Sequence, residues 1–164
     1  MKFIKELIPY IIIVIVVALI REFLVTPALV VGDSMVNTLH NNDVLILDKI
    51  VYRFNEIKRF DIVVVRQKGK DAIIKRVIAL PGETVEYKDN KLYINGKEME
   101  DPYNDGKTED YLLDGVIGKN EYFVVGDNRS NSADSRMIGL IDKSDIKGRI
   151  DLRIFPFTKF GKVK

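Results

Sequence analysis

The spacing of apolar and polar residues divides the chain at about residue 25. Before that point, residues 7–20 form an uncharged run of 14 residues, preceded by Lys2 and Lys5 and followed by Arg21. As a helix this run covers about 21 Å, whereas the hydrocarbon core of a bilayer is about 30 Å thick. Arg21 at its end does not prevent insertion, because its long side chain is able to reach the interface. No small-residue cleavage motif follows. We therefore expect residues 1–25 to be an uncleaved single-span membrane anchor, in preference to a cleaved signal peptide or a buried soluble helix.

After residue 25 the chain is dominated by short runs of β-branched and aromatic residues bounded by turn residues, a pattern that predicts strands. The turn sequence Lys88-Asp89-Asn90 joins two of these runs into a hairpin. Residues 101–114 are polar and acidic, and we expect an exposed loop or a small insertion there. The predicted strands are residues 43–47, 61–65, 72–79, 84–87, 91–94, 121–125 and 148–154.

Together these elements predict a mainly β protein with two parts. The expected fold is an antiparallel β-sheet domain over residues 26–164, with a small β-hairpin insertion at about residues 84–120, preceded by one N-terminal transmembrane helix. The basic residues on the short N-terminal side favour a cytoplasmic N-terminus, which places residues 26–164 outside the cytoplasm. The tail over residues 154–160 mixes aromatic residues with lysine, which is compatible either with contact at a lipid interface or with a core strand that has a basic end.

Charge and composition remove several classes of function. The 26 Lys and Arg against 24 Asp and Glu leave a net charge of only +2, too small to indicate nucleic acid as the main partner. Cysteine is absent, which excludes disulfides, thiolate nucleophiles and Cys-ligated metals. With one histidine there is no His-rich zinc site either, and no EF-hand or phosphate-binding glycine-rich motif is present. These counts leave a carboxylate-rich Mg²⁺ or Ca²⁺ site open, but no motif indicates one, and we expect no metal and no cofactor.

The remaining candidates for chemistry are a serine and a lysine. His40 lies among polar turn residues and is expected to be a solvated loop residue. Lys75 interrupts an apolar strand on the same face as Ile73 and Val77, so burial is able to lower its pKa. An unperturbed lysine is neutral in about one molecule in 2,500 at pH 7, so a useful base needs a pKa lower by about 2–3. Pattern by itself favours Lys75 as an exposed or snorkelling lysine and Ser34 as a turn residue over a catalytic pair.

Four segments, in order along the chain, carry distinctive residue patterns. They are Gly32-Asp33-Ser34-Met35-Val36-Asn37-Thr38-Leu39, Arg59-Phe60-Asp61-Ile62-Val63-Val64, Lys75-Arg76-Val77-Ile78-Ala79-Leu80-Pro81-Gly82-Glu83 and Gly126-Asp127-Asn128-Arg129-Ser130-Asn131-Ser132-Ala133-Asp134-Ser135-Arg136. These segments resemble the bacterial type I signal peptidases, and the similarity to the short, Gram-positive-like form of that family extends over nearly the whole chain. The resemblance implies a membrane-bound serine endopeptidase, acting as a monomer without a cofactor, that removes N-terminal signal peptides from secreted preproteins with small residues at positions −1 and −3.

The resemblance also implies a role for each matching residue. Ser34 is the expected nucleophile and Lys75 the expected base, which is held neutral. Ser132 is expected to orient the Lys75 amine, and the backbone of Gly32 and Ser34 to form the oxyanion hole. A structural set of ion-pairing residues beside the site is expected at Asp127, Asp134 and Arg136.

Two residues depart from the family's pattern. Asn37 stands where the family usually has proline, and Phe60 replaces a common glycine. Because proline fixes φ near −65°, Asn37 is expected to loosen the loop that presents Ser34 and to reduce efficiency. Two alternatives stay open: a catalytically weakened or inactive membrane-tethered homologue that acts as a binding or scaffold module, and a self-cleaving repressor-type Ser/Lys protease.

Overall fold

Most of the chain folds into two antiparallel sheets that follow a long N-terminal helix. The computed structural model describes residues 2–104, 106 and 108–163, with side chains from residue 6 onward. The expectation of a mainly β, antiparallel fold is confirmed. The helices and strands are α1 (Lys2–Phe23), β1 (Val25–Leu29), β2 (Val44–Asp48), α2 (Val51–Phe54), β3 (Ile62–Gln67), β4 (Lys70–Ala79), β5 (Val85–Lys88), β6 (Lys91–Ile94), β7 (Lys97–Met99), β8 (Tyr111–Leu112), β9 (Glu121–Val125), α3 (Ser135–Ile138), β10 (Ile141–Asp142), β11 (Ile146–Phe155) and β12 (Gly161–Lys162), with short 3-10 turns at Lys143–Asp145 and Phe157–Lys159.

The large sheet has the strand order β1-β2-β11-β3-β4-β9-β10, and β12 also pairs with β11. Its centre is β3, where Ile62, Val63, Val64 and Val65 are all buried. These residues pack on both faces of the sheet, which explains why the sequence shows a continuous β-branched run there and not an alternating one. Strand β4 runs beside β3 and carries residue Lys75 into the interior.

The small sheet has the order β7-β6-β5-β8 and lies within the stretch where the sequence predicts an insertion. Its first hairpin turns at Asp89 and Asn90, which both have positive φ, as a two-residue turn of this kind requires. Tyr87 and Leu92 share one buried cluster with Phe123 of the large sheet. The small sheet is therefore packed against the rest of the domain through a common core.

The expectation of an exposed loop over residues 101–114 is wrong in part. Asp101 is an ion-pair partner of Arg129, 2.7 Å apart, and both side chains are almost completely buried. Tyr103 places its ring 3.4 Å from the guanidinium of Arg76. The polar composition of this segment therefore does not mean solvation throughout, because two buried arginines recruit its carboxylate and its aromatic ring.

Helix α1 exposes its apolar side chains, from Leu7 through Ile20. Within the part of the chain that the structure describes, no helix meets the length and apolarity needed to cross a bilayer. Strand β1 begins at Val25, the last residue of the predicted anchor, and Pro27 is tolerated because β1 is the edge strand of the large sheet.

Candidate active site

Lys75 lies in the middle of β4, at the start of the strand's buried half. Its residue is only 2% exposed, and its Nζ atom is 2.6 Å from Ser34 Oγ. On β3 its backbone partner is Val63, which is fully buried. The structure thus brings together the serine and the lysine that sequence reasoning singled out, although 41 residues separate them along the chain.

Burial lowers the pKa of Lys75 from 10.5 to about 8. Removing the ammonium from water is the main cause, and the carboxylates of Asp134 and Asp127 oppose it. A group with a pKa of about 8 is neutral in about a tenth of the molecules at pH 7. When neutral, the amine has a lone pair that accepts a hydrogen bond from the Ser34 hydroxyl; when charged, it donates to Ser34 Oγ.

The segment that carries Ser34 is tied down on both sides. Met35 and Leu39 are buried in the core beneath it, and Gly32, with φ of +88°, makes the turn that leads into it. The Ser34 carbonyl accepts a hydrogen bond from the Asn128 amide at 3.0 Å. Among the described residues, the Ser34 N–H has no acceptor. That N–H is therefore free to donate to an oxyanion beside Ser34 Oγ.

The backbone N–H of Gly32, which was expected to contribute to the oxyanion hole, makes a hydrogen bond within its own loop. Its N–H donates to the Asn41 side-chain oxygen at 3.0 Å, so in this structure it is engaged within the loop. A positive φ is strained for most side chains, and glycine adopts it without strain. Gly32 thus shapes the loop that presents Ser34, while Ser34 supplies the free amide.

Ser132 lies beside the Ser34–Lys75 pair with its hydroxyl uncommitted. A Cβ placed on Gly126 would collide with both Ser132 Oγ and the Ser34 carbonyl oxygen, so glycine is needed for the two serine segments to approach. In the described part of the chain, Ser132 Oγ is buried and has no hydrogen-bond partner, although it approaches the Asp134 carboxylate. The hydrogen bond expected from Ser132 to Lys75 is not made here.

Asp134 and Arg136 form an ion pair next to the turn that contains Ser132. The Asp134 carboxylate accepts hydrogen bonds from the Arg136 guanidinium at 2.8 and 2.9 Å and from the Gly126 amide at 3.0 Å. Burial by itself raises the pKa of Asp134, but these hydrogen bonds outweigh it and hold that pKa below its usual range. Asp134 also caps helix α3. The pair therefore fixes the turn that contains Ser132.

Asp127 faces a partner that sequence reasoning did not assign, Arg76. The Arg76 guanidinium donates to both carboxylate oxygens of Asp127, at 2.8 and 2.7 Å, and both side chains are about 1% exposed. Thr38, from the Ser34 segment, also donates to this carboxylate. A signal was present in the sequence, because an arginine on the alternate face of a buried strand requires a buried acceptor.

The two departures from the family's pattern both have positive φ. Phe60 has φ of +70°, which accounts for the common glycine at that position; here its carbonyl accepts from Arg76 at 2.9 Å and its ring packs on Tyr103. Asn37 has φ of +93°, a conformation that proline is unable to adopt. Asparagine is among the residues that tolerate such a backbone best. The proline of relatives therefore does not fit this loop as it is folded here.

A cleft of about 360 Å³ opens beside Ser34. It is bounded on one side by residues 29–32 and on the other by residues 71–74 of β4, and Met35 lies at its base. Strand β9 pairs with β4 only from Arg76 onward, so the edge of β4 over residues 71–74 that faces away from β3 is unpaired in the described sheet. An unpaired strand edge next to an apolar cleft has the shape needed to hold an extended peptide.

The geometry supports one kind of chemistry. The Ser34 hydroxyl contacts a buried amine of lowered pKa, which is able to activate it for attack on a carbonyl carbon. The free backbone N–H beside it is able to stabilise the oxyanion that forms. His40 is exposed and outside this site, as expected.

Known proteins with similar sequences identify the family of the chain. The family model described as "Signal peptidase, peptidase S26" matches residues 3–155. A signal peptidase I of Bacillus caldolyticus is 40% identical over 167 residues, covering 93% of this chain and 92% of its own. A signal peptidase IB of Staphylococcus aureus is 35% identical over 178 residues, with coverages of 95% and 93%.

Among solved structures, a signal peptidase I from Enterococcus faecalis V583 superposes with a TM-score of 0.53 at 34% sequence identity, covering 58% of this chain and 97% of the other. The match of the family model extends over more than half of the chain, and the two relatives align over nearly their full lengths. The chain therefore belongs to the type I signal peptidases of peptidase family S26, which are serine hydrolases.

Proposed function

We propose that the chain removes signal peptides from secreted preproteins as a membrane-attached endopeptidase, with Ser34 as the nucleophile and Lys75 as the general base. One observation carries the assignment: the Nζ of the buried Lys75 lies 2.6 Å from Ser34 Oγ. Lys75 makes no other side-chain hydrogen bond to the described residues, so its amine is committed to the serine.

In the proposed acylation step, neutral Lys75 accepts the Ser34 proton as Oγ attacks the scissile carbonyl carbon. The Ser34 N–H stabilises the oxyanion that develops on the carbonyl oxygen. The Lys75 ammonium then donates its proton to the leaving amine, and the signal peptide remains as an ester on Ser34. A water molecule that gives its proton to Lys75 hydrolyses the ester, and Ser34 takes the proton back.

The proposed role of Ser132 is to position the Lys75 amine during these transfers. Its buried hydroxyl has no hydrogen-bond partner in the described part of the chain. It is therefore available to accept a hydrogen bond from the Lys75 ammonium or to donate one to the neutral amine. The proposed role of Asp134 and Arg136 is indirect, since they hold the turn in which Ser132 lies.

The proposed substrate is an extended peptide added to the free edge of β4 over residues 71–74. Side chains of an extended strand alternate, so the residues at −1 and −3 from the scissile bond point the same way. We propose that both enter the apolar cleft between residues 29–32 and β4, and that its limited volume selects small side chains there.

The proposed membrane attachment is through α1. Its apolar side chains from Leu7 to Ile20 are exposed and have no core of the domain to cover them. No described helix has the length and apolarity of an ordinary span, and the uncharged run of α1 is short. We propose that α1 nevertheless inserts, with Arg21 reaching to the interface and the N-terminus on the cytoplasmic side, so that residues 26–164 act outside the cytoplasm. Alkaline extraction of membranes should leave the chain in the pellet, and externally added protease should reach the catalytic domain. Release by alkali or full protection from the protease would contradict this arrangement.

The catalytic assignment is tested with paired variants of the full chain in detergent. Ser34→Ala and Lys75→Ala are each expected to lower kcat/KM for a preprotein by at least about 10⁴-fold, since each removes one member of a unit that acts together. Matched controls are Ser130→Ala, an exposed serine in the loop of Ser132, and Lys70→Ala, an exposed lysine of β4. The controls should retain wild-type kcat/KM within about twofold.

Circular dichroism and thermal unfolding establish that all four variants are folded. Turnover close to wild type in Ser34→Ala or Lys75→Ala would sink the Ser/Lys mechanism. Absence of turnover in the wild-type chain would instead support the inactive scaffold homologue.

A further inference from the structure

A second cavity, of about 440 Å³, lies apart from the cleft beside Ser34. It is formed between the C-terminal segment and the loops around residues 37–38 and 102–104. Arg153, Lys159 and Lys162 line it together with the side chains of Asn37 and Asn104. Neither Ser34, Lys75 nor Ser132 borders it. This cavity, here called the basic pocket, has no part in the proposed reaction.

The basic pocket has an excess of positive charge. Lys159 and Lys162 are exposed, and within the described residues neither has an ion-pair partner. Arg153 is mostly buried; one of its terminal nitrogens donates to the Thr38 carbonyl. Its Nε is 3.1 Å from a carboxylate oxygen of Asp43 but makes no hydrogen bond of normal geometry with it. The described residues that line the pocket include no acid, so two positive charges remain after Asp43 offsets one.

The donors in the basic pocket suit an anion with several oxygens. The Arg153 guanidinium, the two lysine ammonium groups and the Asn37 side-chain amide are hydrogen-bond donors, whereas the Asn104 amide already donates to the Asn90 carbonyl at 2.7 Å. Phosphate oxygens accept readily from charged ammonium groups. A single carboxylate has two oxygens and matches fewer of these donors than a phosphate does.

The surroundings of the basic pocket indicate where such a phosphate comes from. Phe157 and Phe160, which flank Lys159, are 80% and 62% exposed, and Phe155 packs edge-on against Phe157 with ring centroids 5.6 Å apart. The tail is therefore not a core strand with a basic end, since its aromatic rings point outward. Aromatic and basic residues side by side are typical of a surface at the membrane–water interface.

We propose that the basic pocket binds the headgroup phosphate of an anionic phospholipid, with Lys159 and Lys162 at its rim and Arg153 at its base, while Phe157 and Phe160 enter the lipid. The proposal rests on the location of the domain at a membrane that is proposed above; the headgroup contact itself does not involve α1. Attachment through α1 requires no particular headgroup, whereas the basic pocket discriminates lipids by charge.

The chain contains no tryptophan, so a single tryptophan is a clean reporter. The test uses the full chain with Phe157→Trp in micelles of an uncharged detergent, and follows tryptophan emission during titration with short-chain phosphatidylglycerol, short-chain phosphatidylcholine or inorganic phosphate. We expect a saturable blue shift with phosphatidylglycerol, and at least about tenfold weaker binding of phosphatidylcholine and of inorganic phosphate.

The variant Lys159→Gln/Lys162→Gln should raise the dissociation constant for phosphatidylglycerol about 30-fold, since each lysine near an anionic lipid contributes about a fivefold factor. The matched control Lys119→Gln/Lys147→Gln removes the same charge from exposed positions outside the basic pocket and should change it less than threefold. Thermal unfolding shows whether both are folded.

Three results would overturn the proposal: equal binding of phosphatidylglycerol and phosphatidylcholine, an equal loss in both double variants, or phosphate binding that is as tight as lipid binding. Failure of the membrane attachment is separate, because it appears as release of the wild-type chain from membranes by alkali.

Discussion

Lys75 and Arg76 are neighbours on β4, and both are buried, but their environments differ completely. Arg76 is held by a bidentate carboxylate, Asp127, and stacks under the ring of Tyr103. Among the described residues, Lys75 makes one side-chain hydrogen bond, to the uncharged hydroxyl of Ser34, and burial lowers its pKa to about 8. Adjacent residues of a strand point to opposite faces, so one strand delivers two cations into two different surroundings.

The difference indicates what each cation is for. A buried guanidinium stays charged and therefore has to be paired, which makes Arg76 a fixed link between β4, Asp127 and the Ser34 segment through Thr38. A buried lysine is able to lose its proton, and a direct carboxylate partner would prevent that. The two carboxylates nearby are therefore paired with other residues and not with Lys75: Asp127 binds Arg76, and Asp134 binds Arg136.

The largest expected effect comes from breaking the paired cation. Asp127→Asn leaves Arg76 buried without its carboxylate, which should lower the free energy of unfolding by about 3–5 kcal/mol. Urea denaturation followed by circular dichroism measures this. The control is Glu98→Gln, which breaks the exposed pair with Lys91 and should leave the free energy of unfolding nearly unchanged. Equal effects of the two variants would show that the buried pair has no special importance.

Removing the unpaired cation should have the opposite sign. Because folding lowers the pKa of Lys75 from 10.5 to about 8, the unfolded chain binds an extra proton between these pH values. Stability therefore rises as pH increases from about 8 to 10.5, and the full penalty is present below pH 8. Lys75→Met should raise the free energy of unfolding at pH 7 by about 2 kcal/mol, after loss of the Ser34 hydrogen bond is counted, and should abolish that rise with pH.

Urea unfolding of wild type and Lys75→Met at pH 7 and pH 10 measures both consequences. A Lys75→Met variant that is less stable than wild type at pH 7, with the wild-type pH dependence retained, would contradict a desolvated lysine.

A smaller effect is expected at Asn37, in the segment that Arg76 and Asp127 hold in place. At φ of +93° glycine fits and proline does not, so Asn37→Gly should leave kcat/KM within about twofold of wild type. Asn37→Pro should lower it about tenfold, since a strained loop costs about 1–3 kcal/mol. Peptide cleavage assays compare the two variants. An increase in kcat/KM with proline would show that the Ser34 segment adopts another backbone in the active enzyme.

The sequence predicted the strands of the large sheet better than the partners of its buried charges. Runs of β-branched residues located β3, β4 and β9 to within a few residues, because burial on both faces leaves a local signature. Strand β8 has only two residues, and no local pattern marks so short a pairing.

For the candidate site, the resemblance named Ser34 and Lys75, and pattern by itself did not separate them from surface residues. The partner of Arg76 was not predicted, because ion pairs between residues 51 positions apart have no local signature. The buried link from Asp101 to Arg129 was missed for the same reason. The positive φ of Phe60 was not predicted either, because an aromatic residue gives no local signal for that conformation.

The most direct test of a neutral Lys75 is the pH dependence of kcat/KM, measured between pH 6 and pH 10 with a peptide substrate that has no group titrating in that range. A base that must be deprotonated in the free enzyme makes kcat/KM rise about tenfold per pH unit below its pKa and level off above it. We predict a rising limb with an apparent pKa of about 8. A profile that is flat between pH 6 and pH 9, or one that is still rising at pH 10, would contradict the account.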